Sequence, residues 1–145
     1  MNPDDELARL QSLAAQFRTA IKATPTADLP HGMQTFPYLA CGDSVLLLGR
    51  WLKDLGFINV TREWGNIAPG KEGHAWLKVN NIYVDITADQ FEWGRHVPFA
   101  SRNSTWHQQF STWFESDGVD WSSLDGQGME GMQTAYDAIR HRIKS

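Results

Sequence analysis

Residues 74–87, HAWLKVNNIYVDIT, constrain the fold of this chain more than any other stretch. Two runs rich in apolar residues flank Asn80 and Asn81, and asparagine tolerates the positive φ that a two-residue hairpin turn requires. We therefore predict an antiparallel β-hairpin centred on the two asparagines. Because side chains alternate between the faces of a strand, this register makes one face wholly aliphatic. That face belongs in the core and carries Ala75, Leu77, Val79, Ile82, Val84 and Ile86.

The opposite face of the hairpin carries polar and aromatic side chains, from His74, Trp76, Lys78, Tyr83, Asp85 and Thr87. In the predicted register His74 and Asp85 are diagonal neighbours, whose backbones lie about 7–8 Å apart. An imidazole and a carboxylate can bridge that gap with a hydrogen bond. We expect Trp76, on the same face, to pack against the first helix or to form a wall of a cleft. The pattern therefore predicts a histidine–aspartate pair on one face of the sheet.

Signals for two amphipathic helices precede the hairpin. Asn2 is a suitable N-cap for a helix over residues 3–23, whose apolar residues recur in steps of three and four. A second helix follows the segment PYLAC, residues 37–41, and Gly56 with Phe57 has the form of a left-handed C-terminal cap. We expect both helices to pack on the hairpin.

The rest of the chain gives weaker signals. INVTREW, residues 58–64, predicts a strand, and residues 129–143 predict a last helix. Residues 88–128 lack a clear period and predict long loops, with a short helix through HQQFSTWF, residues 107–114. Aromatic residues in this part can form a second small core or the rim of a binding site, and they include Trp93, Trp106, Trp113 and Trp121.

Length and composition fit one α+β domain over residues 1–145, with helices packed on a small antiparallel β-sheet. The 145 residues are 41% hydrophobic and include 7 tryptophans, which is enough for a core. The net charge is −4, and the lack of a basic run argues against a nucleic-acid partner. The acidic N-terminus and short apolar runs predict neither a signal peptide nor a membrane span, so we expect a cytoplasmic protein. The sequence leaves the oligomeric state open.

Cys41 is the only cysteine, so it cannot form an internal disulfide or a cysteine-rich zinc cage. It directly precedes the most hydrophobic helical pattern of the chain. The thiolate is the nucleophilic form of cysteine, and a helix N-terminus and a neighbouring histidine both favour it. His74 can take the thiol proton, and Asp85 can orient the imidazole. We therefore predict a catalytic triad of nucleophile, base and orienting carboxylate.

The order of these residues resembles that of a known superfamily. Cys41, then His74 within HAW, then Asp85 within YVDIT is similar to the core of the transglutaminase-like branch of the papain-like cysteine hydrolases, in particular small bacterial single-domain members. The resemblance covers residues 36–91, and Gly42 departs from it by replacing the tryptophan that follows the papain-type cysteine. It implies a cysteine that opens a helix, packed on an antiparallel sheet with the other two residues on adjacent strands. It also implies a protein or peptide amide as substrate, a thioacyl intermediate and no cofactor or metal, in a peptidase, deamidase or transglutaminase-type reaction.

Acyl transfer also requires donors that stabilise an oxyanion. The backbone N–H of Cys41 at the start of the helix is the first candidate. Papain-like enzymes commonly place a glutamine shortly before the cysteine, which makes Gln34 the second candidate. Asp89 and Gln90 follow the second strand of the hairpin, where they can border the cleft or substitute for Asp85.

Three alternative functions stay open. The string GDS, residues 42–44, is similar to that of serine hydrolases whose nucleophile would here be Ser44. The domain can also be a catalytically inactive binding, adaptor or immunity-type protein that keeps the fold. A metal site can be built from two histidines and a carboxylate, namely His74 and Asp85 with His96 or His107.

Overall fold

Four helices and five strands lie in the part of the chain that the computed structural model describes, which is residues 2–68, 71–96, 99–117, 121, 124 and 126–143. The helices are α1 (Pro3–Ala23), α2 (Cys41–Asp54), α3 (Thr105–Gln108) and α4 (Gly126–His141). The strands are β1 (Val60–Asn66), β2 (Gly73–Val79), β3 (Ile82–Asp85), β4 (Phe99–Ser101) and β5 (Ser111–Asp117). Short 3-10 turns occupy Thr26–Asp28, His31–Met33 and Ala88–Gln90. The fold is α+β, as the sequence predicts.

The strands form one antiparallel sheet in the spatial order β4-β3-β2-β1-β5. β2 and β3 form the hairpin, with Val79 opposite Ile82 and Leu77 opposite Val84. The two asparagines of the turn have φ of 50° and 66°, in the left-handed region that asparagine adopts more readily than most residues. The predicted hairpin and its register are therefore confirmed.

The start of α1 and the end of α2 follow the capping signals in the sequence. The backbone N–H of Asp5 donates to Asn2 Oδ1 at 3.0 Å, which satisfies one of the N–H groups that a helix start leaves unpaired. At the end of α2, Gly56 has φ of 101°, and the N–H of Phe57 donates to the Leu52 carbonyl at 3.0 Å. A residue with a Cβ would be strained at that φ. Both predicted caps are confirmed.

The aliphatic face of the hairpin lies against α1 and α2. Phe17 of α1 stacks on Trp51 of α2 with ring centroids 5.2 Å apart. This packing fixes the axis of α2, and with it the position of the first residue of α2, Cys41, relative to the sheet. Fully buried members of this main core include Leu10, Met33, Leu47, Leu48, Leu77 and Ile82.

A second, aromatic core covers the opposite face of the hairpin, with Trp76, Tyr83 and Phe110 at its centre. Trp76 is 1% exposed, and its indole N–H donates to Glu63 Oε1 at 2.8 Å. The expectation that Trp76 packs against the first helix is therefore wrong, and Trp76 packs in the aromatic core instead. Alternation along β2 is the reason, because Ala75 faces the helices and its neighbour must face away from them.

Residues 88–128 contain more regular structure than the sequence predicts. The expected helix through residues 107–114 is wrong beyond its first two residues, since α3 ends at Gln108 and β5 begins at Ser111. β5 pairs along β1, and this long-range pairing decides its conformation, which local periodicity does not indicate. The last helix also begins earlier than predicted, at Gly126.

The tryptophans of this segment lie in different environments. Trp121 is buried in the main core, where its indole N–H donates to the Leu46 carbonyl at 3.2 Å. Trp106 packs against the aromatic core, and Trp93 is partly exposed. The side chain of Trp113 lies outside the described residues. The segment therefore contributes to both cores, and its aromatic residues supply much of the second small core that the sequence suggested.

Across the described ranges, each helix is too short or too polar to span a bilayer.

Replacing Leu47 with alanine should lower the free energy of unfolding by about 2–5 kcal/mol, because it removes buried methyl groups and leaves a cavity. Ile58→Ala is the matched control, since Ile58 is 71% exposed. A change at such a surface position usually stays within about 0.5 kcal/mol. Urea denaturation followed by tryptophan fluorescence measures both variants. Equal losses would contradict the assignment of Leu47 to the core.

Candidate active site

His74 and Asp85 meet on the face of the hairpin that the aromatic core covers. His74 Nε2 lies 2.6 Å from Asp85 Oδ2, and both side chains are buried. This is the contact between diagonal neighbours that the register predicts. The separation is short for an N–H···O hydrogen bond, as expected when donor and acceptor are charged.

The other carboxylate oxygen of Asp85 is held by the chain just after β3. The backbone N–H of Thr87 donates to Asp85 Oδ1 at 2.8 Å, and the Thr87 hydroxyl lies 3.4 Å from the same oxygen. An aspartate that accepts from the N–H two residues ahead closes a local turn. The turn fixes one side of the carboxylate and leaves Oδ2 facing the histidines.

His107 contacts the same carboxylate oxygen as His74. Its Nε2 lies 2.6 Å from Asp85 Oδ2, and its side chain is fully buried. Ser104, the N-cap of α3, holds His107 twice: its Oγ lies 2.6 Å from Nδ1 and accepts from the backbone N–H at 3.1 Å. The sequence suggested His107 only as a metal ligand. Ser104 is a recognisable N-cap in the sequence, but local patterns give no sign that α3 lies beside Asp85.

Cys41 lies beside His74 at the start of α2. It interacts with the His74 side chain closely enough to raise the pKa of His74. The structure thus places His74 in contact with Asp85 and close to Cys41.

Gln90 contacts the ring nitrogen of His74 that faces away from Asp85. It ends the 3-10 turn Ala88–Gln90, and its Nε2 lies 2.8 Å from His74 Nδ1. A neutral Nδ1 accepts from the amide nitrogen, whereas a protonated Nδ1 donates to the amide oxygen, which a flip of the amide presents. Gln90 can therefore form a hydrogen bond with His74 in either protonation state.

Burial and mutual contacts set the charges of the cluster. Burial alone would lower the pKa of His74, but the Asp85 carboxylate and Cys41 raise it to about 9. Burial would raise the pKa of Asp85, but His74 and His107 hold it well below its usual range. Burial lowers the pKa of His107, although its contact with Asp85 opposes that change. At neutral pH the cluster therefore holds a His74 imidazolium, an Asp85 carboxylate and a neutral His107.

Gln34 does not serve as the second oxyanion donor that the resemblance implies. Its Nε2 lies 2.9, 3.2 and 3.2 Å from the carbonyl oxygens of Thr26, Leu29 and Pro30, among which its two hydrogens are shared. The amide therefore holds together the loop that precedes α2, and turning it toward Cys41 would break these hydrogen bonds. This expectation is wrong.

The other candidates from the sequence also lie away from the reactive residues. Arg18 of α1 pairs with both carboxylate oxygens of Asp89, at 2.8 and 3.1 Å, so Asp89 does not substitute for Asp85. Ser44 is fully buried within α2, which argues against a serine nucleophile. His96 is exposed. Of the alternatives for the site, His107 is the one that joins the cluster.

His74, Asp85 and His107 are the group that could hold a metal ion within the described residues, since one ligand atom from each lies within 4.8 Å of the others. The observed contacts are those of hydrogen bonds. Two ligands of a tetrahedral zinc ion at about 2.0–2.1 Å are roughly 3.3 Å apart. Both Nε2–Oδ2 separations are 2.6 Å. An ion would have to replace both hydrogen bonds and push three buried side chains apart.

Aromatic side chains separate the cluster from solvent. Phe91 and Trp106 contact the His74 ring nearly edge-on, with centroid distances of 5.4 and 5.6 Å. His74 is fully buried, and Cys41 is 6% exposed. The cluster is therefore shielded from water, and the low dielectric around it strengthens its electrostatic contacts.

No protein-family model, curated protein or solved structure matches this chain significantly. The resemblance to transglutaminase-like hydrolases therefore rests on the residues of this chain alone.

The raised pKa of His74 predicts a loss of stability at alkaline pH. Folding raises this pKa from 6.5 to about 9. Between those values the folded state binds more protons than the unfolded state, so the free energy of unfolding falls as the pH rises through the window. Folding lowers the pKa of His107, so its titration changes the free energy of unfolding below pH 6.5 and not within this window.

Urea denaturation of Cys41→Ala between about pH 6 and about pH 10 measures the effect without titration of the thiol, and we expect a loss on the order of 2–3 kcal/mol. Adding Asp85→Asn should flatten the profile, because the carboxylate that stabilises the imidazolium is then absent. All other titrating groups are common to the two variants. An equally steep fall in the double variant would contradict the ion pair.

Proposed function

We propose that this protein is a cysteine-dependent amide hydrolase or acyltransferase of the transglutaminase-like type, with a protein or peptide amide as substrate. One observation supports it above the others: the buried His74 imidazole contacts the Asp85 carboxylate at 2.6 Å and also interacts with the Cys41 side chain. A nucleophile, a base and an orienting carboxylate are the groups that a thiol needs for acyl transfer. Cys41, His74 and Asp85 take these roles in that order.

The Cys41 thiolate attacks the carbonyl carbon of the amide and forms a tetrahedral oxyanion. As this intermediate collapses, the C–N bond breaks, His74 gives its proton to the departing amine, and the acyl group remains on sulfur as a thioester. Water or a second amine then attacks the thioester, His74 takes a proton from it, and the C–S bond breaks. Hydrolysis, deamidation and cross-linking differ in the amide that enters and in the nucleophile that releases the acyl group.

The start of α2 supplies the first oxyanion donor. Ala40 is the N-cap residue, and within the described residues no side chain caps this helix start, unlike that of α1, where Asn2 accepts a hydrogen bond. Uncapped N–H groups and the positive end of the helix dipole favour an anion beside the Cys41 backbone N–H. The Gln90 amide, which contacts His74 Nδ1, is the second donor.

The segment before the nucleophile supports a substrate of peptide size. Tyr38 is 57% and Leu39 is 85% exposed. Leu39 also has φ of 58°, a left-handed conformation that leucine rarely adopts and that is often associated with functional sites. Two large apolar side chains held in solvent within three residues of Cys41 give a peptide substrate an apolar surface to contact.

A second candidate is a catalytically inactive binding, adaptor or immunity-type protein that keeps this fold. Burial is the observation that favours it, because Cys41 is nearly inaccessible and His74 is fully buried. A buried polar cluster can serve the specificity of folding without any turnover. The two candidates differ in whether the sulfur of the folded protein reacts.

Alkylation with iodoacetamide between about pH 5 and about pH 9, followed by mass spectrometry of the peptide that contains Cys41, distinguishes the two candidates. For the enzyme we expect the wild type at about pH 6 to react about tenfold or more faster than free cysteine, and His74→Ala to lose that advantage. His141→Ala is the matched control, because His141 is exposed at the end of α4. A sulfur that reacts only after unfolding in urea would contradict the enzyme and support the binding protein.

A further inference from the structure

We propose that His107 is a positioning residue, which together with Ser104 holds the Asp85 carboxylate in the orientation that aligns His74 with Cys41. This role rests on the proposed acyl-transfer function. His107 contacts Asp85 through Nε2 and Ser104 through Nδ1. Both ring nitrogens are therefore engaged away from the sulfur, so His107 acts through Asp85 and does not touch the substrate.

The Asp85 carboxylate accepts hydrogen bonds from three directions. Oδ2 accepts from His74 and from His107, each at 2.6 Å, and Oδ1 accepts from the Thr87 N–H at 2.8 Å. A carboxylate has about four acceptor sites, so three close donors leave it little freedom to rotate. Without His107, Asp85 Oδ2 would lose one of its two donors, and the buried carboxylate could turn away from His74.

Asp85 and Ser104 together set which nitrogen of His107 carries the hydrogen. The ionised carboxylate can only accept, so Nε2 carries a hydrogen in its 2.6 Å contact with Asp85. The Ser104 hydroxyl oxygen accepts from the His107 backbone N–H at 3.1 Å, and its hydrogen donates to Nδ1 at 2.6 Å. A neutral imidazole with an acceptor at Nδ1 carries its hydrogen on Nε2. That hydrogen then points at Asp85, whereas the opposite tautomer would place a lone pair against the carboxylate.

The groups around His107 favour its neutral form. Asp85 on β3 attracts a second proton, but His74 on β2 and Arg95, which follows the Ala88–Gln90 turn, repel it, and burial lowers the pKa further. The Tyr83 ring stacks on the imidazole with centroids 5.3 Å apart. His107 therefore donates a hydrogen bond without carrying a charge. The positive charge of the cluster stays on His74, next to the sulfur.

His107→Gln and His107→Asn form a matched pair of variants. The amide nitrogen of glutamine lies about as far from Cβ as Nε2 of histidine, so it can still donate to Asp85, whereas that of asparagine reaches only the position of Nδ1. At about pH 6 we expect alkylation of Cys41 to stay within about threefold of wild type in His107→Gln and to fall by about tenfold or more in His107→Asn. The tenfold fall in rate is the size expected when one hydrogen bond to a charged group is removed.

The pH at which alkylation begins distinguishes positioning from packing. Wild type and His107→Gln should share this onset, while in His107→Asn it should move up toward that of free cysteine, whose pKa is about 8.5. A packing defect alone would lower the melting temperature and leave the onset unchanged. Thermal unfolding followed by circular dichroism reports the folded fraction of each variant.

Ser104→Ala provides an independent test should His107→Asn not fold. It keeps the imidazole and removes the hydroxyl that anchors Nδ1, so the ring can turn away from Asp85 and the onset should again move up, and Ser104→Thr should restore it. Wild-type rates and onsets in both His107→Asn and Ser104→Ala would overturn the positioning role. Failure of the proposed function looks different, because the wild type would then react no faster than free cysteine and His74→Ala would change nothing.

Discussion

The buried carboxylate of Asp85 is the group on which the polar site depends. It accepts from two imidazoles at 2.6 Å and from a backbone N–H at 2.8 Å. A carboxylate buried without such partners is costly and tends to become neutral. Here the partners keep it ionised, and the ionised carboxylate keeps His74 protonated beside Cys41. Loss of any one partner therefore disturbs the charges of the whole cluster.

The two faces of the hairpin explain why the site forms where it does. The aliphatic face packs against α1 and α2, and this packing positions the first residue of α2, Cys41. The other face carries His74 and Asp85 under aromatic rings that limit water and strengthen each electrostatic contact. A slip of one residue in either strand would turn its site residue into the aliphatic layer. Stability and chemistry therefore depend on the same strand register.

Local signals in the sequence predicted the hairpin, its asparagine turn, the helix caps and the contact between His74 and Asp85. The contact of His107 with Asp85 joins positions 22 residues apart, and no alternation or capping pattern reports such a distance. β5 was missed for the same reason, since its pairing with β1 decides its conformation. Gln34 followed from the family resemblance alone, and the loop before α2 uses its amide differently. For Trp76, the alternation of side chains along β2 predicted the correct face of the sheet. The aromatic residues that cover this face lie in segments with weak periodicity, so the sequence did not predict them.

Acyl transfer to sulfur tests most directly whether Asp85 and His74 activate Cys41. Wild-type protein is mixed with p-nitrophenyl acetate, and the adduct is located by mass spectrometry. We expect an acetyl group on Cys41 that forms about tenfold or more slowly in Asp85→Asn and is absent in Cys41→Ala. Asp137→Asn, a change at an exposed position of α4, should keep the wild-type rate. A folded wild-type protein that never acquires the acetyl group, or that acquires it no faster than Asp85→Asn, would contradict the proposed activation.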